Sequence, residues 1–169
     1  MLFRSYDIAA LQYLYGANRN PTNAEALAKR QTTTFTDGWA GLESLWTPQG
    51  APLDMSAMTK NNIVDLREGA FSSIGNTKNN VSLAYGSKIA SVTGGSGNDD
   101  IYAAESGTMT LNGGAGADTL YLAGTSKEWT LNGTTYTRKI GGKVVATIAA
   151  TGFETVTYYN PSKTALMRA

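Results

Sequence analysis

Two stretches decide how this chain folds: Gly94-Gly95-Ser96-Gly97-Asn98-Asp99-Asp100-Ile101-Tyr102 and, after ten further residues, Gly113-Gly114-Ala115-Gly116-Ala117-Asp118-Thr119-Leu120-Tyr121. Both read Gly-Gly-x-Gly-x-Asp-x-(Ile/Leu)-Tyr. Glycine loses more backbone freedom on folding than any other residue, so three in four positions call for a structural reason. The two copies start at 94 and 113, and a parallel β-helix built of short strands and tight turns repeats in that range. Ile101 and Leu120 then begin short strands and point into the core. The segment between the copies, Ala103 to Asn112, is the return half of one coil and reads as a bulged edge without the glycine-aspartate signature.

Such loops suit a hard cation. Glycines permit positive φ and leave carbonyls bare, and aspartate adds an anionic oxygen. Ca²⁺ takes six to eight oxygens at about 2.3–2.6 Å. The expectation is one calcium site between the Gly95–Asp99 loop and the Gly113–Asp118 loop. Asp99 and Asp118 would be its side-chain ligands, and the carbonyls of Gly95, Gly97, Gly113 and Ala115 its backbone ligands. One copy alone would read equally well as a plain Gly/Asp hairpin turn. Two matched copies one coil apart favour the ion. A phosphate cradle would need a following helix and a lysine, and neither is present.

Composition narrows the remaining functions. The chain has 169 residues, 41% hydrophobic and 16% charged, with a formal net charge of +1. That balance gives no case for a nucleic-acid partner. No run of 18 apolar residues exists, so no membrane span is expected, and Met1-Leu2-Phe3-Arg4 lacks the apolar stretch of a secretory signal. Cysteine is absent, so a staple other than a disulfide is implied. Histidine is absent too, which removes His-based zinc sites, HExxH metalloproteases and Ser-His or Cys-His triads. The expectation is therefore no enzyme and no catalytic residue. Asp65 and Glu68 are the carboxylates left for a catalytic reading.

Along the chain, Ser5 to Gly16 reads as a short helix with Ile8, Leu11, Leu14 and Tyr15 on one face. Thr22-Asn23-Ala24-Glu25 has capping-box spacing. From Gln31 the texture turns Thr-rich and β-prone. Strands are expected at Leu42–Trp46, Ile63–Leu66, Val81–Tyr85, Trp129–Leu131, Thr135–Ile140, Lys143–Ala149 and Thr155–Tyr159, with a Gly141-Gly142 hairpin turn. The fold class is mainly β: a short parallel β-roll or β-solenoid with an N-terminal helix and a C-terminal antiparallel β cap. The divisions are a helical segment 1–30, a β-roll 31–122 and a hairpin cap with tail 123–169.

These residues resemble a known family, the calcium-binding C-terminal β-roll (RTX) domain of serralysin-type secreted metalloproteases. Besides the two nonapeptides, Tyr6 to Asn18 looks like the segment joining protease to β-roll. Asp65 to Gly75 and Asn80 to Gly86 also match, in order. The resemblance implies calcium as the cofactor, a secreted, extracellular protein, and export through type I secretion machinery as a partner. The protease half and its HExxH are missing. The family's early calcium site falls here on Trp46-Thr47-Pro48-Gln49-Gly50, without its acidic ligand, and Asp37 and Asp54 read as turn residues. Two other readings stay open: a cell-surface or glycan-binding adhesion module using Trp39, Trp46, Trp129, Tyr158 and Tyr159, or a detached C-terminal part of a serralysin-like protease.

Overall fold

The structure, a computed structural model, describes residues 33–161. The helix expected at Ser5–Gly16, the turn near Thr22 and the tail after Pro161 lie outside those residues. The first strands are β1 (Thr33–Thr36), β2 (Glu43–Leu45), β3 (Ala51–Ala57), β4 (Ile63–Asp65), β5 (Phe71–Ser72) and β6 (Val81–Leu83). The glycine loops join β7 (Ile89–Thr93), β8 (Asp100–Tyr102), β9 (Gly107–Asn112) and β10 (Thr119–Ala123). Then follow β11 (Trp129–Asn132), β12 (Thr135–Ile140), β13 (Lys143–Thr151) and β14 (Thr155–Tyr159).

The strands wind into a parallel solenoid of about three turns. One wall has the order β1-β3-β7-β9-β13-β12-β11, the facing wall β14-β10-β8-β4, and a small β2-β6-β5 sheet flanks them. Short apolar stretches dictate this coil. Each turn places one apolar residue at the same height of each wall, and the parallel register stacks them. Leu53, Val92, Leu111 and Ala150 form one column, and Val64, Ile101, Leu120 and Val156 the other. Leu111, Val64, Ile101 and Leu120 are wholly buried, each contributing roughly 1.5–3 kcal/mol by leaving water. The tyrosines that end the two repeats lie outside this column. Tyr102 and Tyr121 are register partners and stack at 4.1 Å between ring centroids.

The region after residue 123 divides between two roles. β11 and β12 are antiparallel, and β12 turns through Gly141-Gly142, both at positive φ, into β13. β13 then pairs in parallel with β9, and β14 with β10, so the chain completes another coil. β3 was not among the strands expected from sequence, and it carries Pro52 and Asp54, residues uncommon in strands. Its Ala51, Leu53 and Met55 alternate inward, and a register shift between Ala51 and Pro52 accommodates the proline.

The corner opposite the glycine loops is held by fixed side chains. The turn at Ala103–Ser106 offers its carbonyls outward. Glu105 O accepts from Arg138 Nη1 at 3.1 Å, and Ala103 O accepts from the Tyr159 hydroxyl at 3.0 Å. Arg138, itself buried, also donates from Nε to Glu128 Oε2 at 2.8 Å. Nearby, the buried Arg67 donates from Nε to Asp65 Oδ1 at 2.8 Å and stands over the Tyr159 and Tyr102 rings, 5.0 and 5.7 Å from their centroids.

Candidate metal centre

Four loops link the two walls on one edge: 58–62, 94–99, 113–118 and 152–154. Register pairs Ile63 with Asp100, Asp100 with Thr119 and Thr119 with Thr155. The residues just before them, Asn62, Asp99, Asp118 and Glu154, therefore form a polar column with one member per layer. Each carboxylate accepts the backbone N–H of the layer before it. Asn62 N–H donates to Asp99 Oδ1 at 2.8 Å, Asp99 N–H to Asp118 Oδ1 at 2.7 Å, and Asp118 N–H to Glu154 Oε2 at 2.6 Å.

Stacking this close is what requires glycine. A Cβ on Gly94 would sit 1.8 Å from Gly113 O, and one on Gly113 would sit 1.9 Å from Gly152 O. Backbone would have to move, so no side chain is tolerated at either position. The same contacts orient the carbonyls. Gly95 O and Gly97 O face forward, meeting the following loop at Gly114 and Gly116, while Gly113 O faces back to Gly94. The Asp118 carboxylate reaches back into the same interlayer space. Ala115 sits at the exposed rim and donates its N–H to Gly95 O at 2.9 Å.

Asp99 and Asp118 are each 1% exposed, and burial pushes both carboxyls above the ordinary value of 3.8. For Asp99, hydrogen bonds from Asn62 and Gly95 oppose that shift. Asp99 Oδ1 takes two bonds from Asn62, and Oδ2 accepts from Gly95 N–H at 3.2 Å. In the second loop the corresponding donor, Gly114 N–H, turns to Asn112 Oδ1 at 3.2 Å. Asp118 Oδ2 is left buried with no hydrogen-bond partner. A buried anionic oxygen with no hydrogen-bond partner fits a hard cation. Among the described residues no three acidic side chains gather, so such an ion would draw mostly on backbone oxygens.

Asn62 and Glu154 belong to this column without having been expected. The signal that finds them is a polar residue two positions before the inward apolar residue: Asn62 before Val64 and Glu154 before Val156, as Asp99 precedes Ile101. Asp37 lies in a turn and accepts from the Thr59 hydroxyl and from Thr59 N–H at 2.7 Å, whereas Asp54, expected in a turn, lies within β3 and accepts from Ser56 N–H at 2.9 Å; these bonds hold both carboxyls low. Asp65 is committed to Arg67, and the exposed Glu68 accepts from Gly86 N–H at 3.2 Å. Of the five aromatics considered for a sugar surface, Trp129 and Tyr159 are buried, Trp39 and Trp46 half-buried, and Tyr158 is 39% exposed.

The model of a protein family described as Peptidase M10 serralysin C terminal matches residues 13–158. Among individual proteins, Serralysin C of Dickeya chrysanthemi is 37% identical over 101 residues, covering 55% of this chain and 21% of that protein. Serralysin of Proteus mirabilis is 33% identical over 105 residues, 57% of this chain and 21% of its own length. Metallopeptidase AprA of Pseudomonas marginalis is 37% identical over 101 residues, with 55% and 21% covered. The chain thus spans about a fifth of the relatives it matches.

Proposed function

Because the chain belongs to the Peptidase M10 serralysin C-terminal family, we propose that it is a calcium-binding, non-catalytic β-roll module of a secreted protein, one that folds on taking up the ion. The observation that carries this reading is Asp118 Oδ2, buried without a hydrogen-bond partner at the glycine-loop edge. In this reading Asp99 and Asp118 provide the anionic oxygens, and the carbonyls of Gly95, Gly97, Gly113 and Ala115 complete the set. When bound, the ion supplies the positive charge that makes two buried, neighbouring carboxylates tolerable. Gly94 and Gly113 hold the loops near enough to share it.

Binding free energy then becomes folding free energy. With ~1 mM calcium outside the cell and a dissociation constant on the order of 10 µM, the folded state gains about 2.7 kcal/mol. That is a sizeable share of a domain's ~5–15 kcal/mol. Where free calcium is scarce the gain is lost, and the chain stays loose enough for export by a type I route. A fold fastened by a cation also suits a chain without cysteine. The matched relatives are named as serralysins and metallopeptidases. This chain has no histidine and so carries no HExxH of its own.

Isothermal titration of the metal-stripped full chain tests this, paired with thermal melting in calcium and in EDTA. The expected result is calcium uptake with a melting temperature raised by roughly 5–10 °C. No heat of binding together with identical melting in chelator would overturn it.

A further inference from the structure

The outer face of the longer wall carries an ordered set of hydroxyls that the metal centre does not use. On β9 and β13 the buried positions alternate with outward ones, and the ladders align the outward residues of β9, β13 and β12 in two ranks. The first rank runs Thr108, Thr147, Thr137 and then Thr130 of β11, across four adjacent strands. The second runs Thr110, Ala149 and Thr135. Thr108, Thr110 and Thr130 are exposed, and the others are half-buried. Among the described residues, none of these six threonine hydroxyls has a hydrogen-bond partner within the protein.

We propose that this face binds an ordered lattice of water, the surface of ice. Adjacent strands stand about 4.8 Å apart, and alternate residues along a strand about 6.7 Å. Tetrahedral water joined by hydrogen bonds of about 2.75 Å repeats at about 4.5 and 7.3 Å along its two principal directions. Each spacing of the face lies within about a tenth of a lattice spacing. Threonine suits such a surface on two counts. Its hydroxyl can take a place in the water network while its methyl fills the gap beside it. Its β-branch also restricts χ1, so the array is held in order before anything binds. The seven positions carry no charge to pair with an ionic polymer and no ring on which a sugar could stack. Ala149 is the one break in the pattern, set between Thr110 and Thr135.

The test measures thermal hysteresis, the gap between the freezing and melting points of ice, and uptake into a slowly growing ice surface, with the full chain in calcium. The parent should show both. Thr147→Lys should lose both while its unfolding temperature is unchanged, and Ala149→Thr, which fills the break, should widen the hysteresis. A parent without hysteresis or uptake overturns the inference. So does a fully active Thr147→Lys, or an Ala149→Thr no better than the parent. Retention on an insoluble neutral polysaccharide, or a dimer in sedimentation, that Thr147→Lys abolishes while ice uptake persists would assign the face to another partner and also overturn it.

Discussion

Asp99 and Asp118 hold the same place in their loops, yet only Asp99 has both oxygens bonded within the protein. The difference comes from one peptide group, Gly114 N–H, which serves Asn112 in place of Asp118. Asp118→Asn should therefore separate stability from metal response. An amide keeps the acceptor for Asp99 N–H and removes a buried, uncompensated charge. In chelator the variant is expected to melt no lower than the parent, and up to about 1–3 kcal/mol more stably. In calcium the parent's rise in melting temperature should be largely gone. A variant that melts lower in chelator and still responds fully to calcium would contradict the assigned role. Both aspartates were legible in the sequence because glycines flag their loops. Asn62 and Glu154 were not, since the loops before them lack that spacing and only their distance from the next inward residue marks them.

Among the strands, those with unbroken alternation read well: β12 and β14 fall where β-prone runs predict them, and β13 runs two residues further. What sequence could not supply is which wall each joins. Parallel partners of β13 and β14 lie a whole coil earlier, and the inward apolar positions that align them show no pairing preference when read alone. β3 was not among the expected strands although Ala51, Leu53 and Met55 alternate inward; a register shift between Ala51 and Pro52 accommodates its proline. The segment Ala103–Asn112 was expected as a bulged edge, but Gly107–Asn112 forms β9 in unshifted parallel register with β7 and β13, and the corner before it is fastened by residues far away in the chain. Arg138 bridges β12 to the turn after β8 through Glu105 O. Replacing it as Arg138→Met should cost about 1–3 kcal/mol, by removing the charge-assisted bonds to the Glu105 carbonyl and the Glu128 carboxylate. That loss should be the same with calcium as with EDTA, which melting in both buffers checks.

For the molecule as a whole, the glycine-loop edge ties stability to pH. Burial raises Asp99 and Asp118 above 3.8, so the metal-free folded chain holds protons more tightly than the unfolded one. Their contribution is thus least unfavourable below that value, and stability falls as pH rises through the raised values. Calcium demands ionised carboxylates, so with the ion present the trend reverses and stability is lost toward acid. Melting curves from mildly acidic to neutral pH should show the chelated and calcium-loaded forms diverging upward in pH; parallel curves would exclude the coupling. The guanidinium corner carries a timing consequence. Arg138 and Tyr159, which clasp the Ala103–Ser106 turn, are synthesised long after the strands they secure. A nascent chain extended only as far as Tyr121 holds a roll that these two side chains cannot yet buckle, and that clasp must wait until Tyr159 has been made.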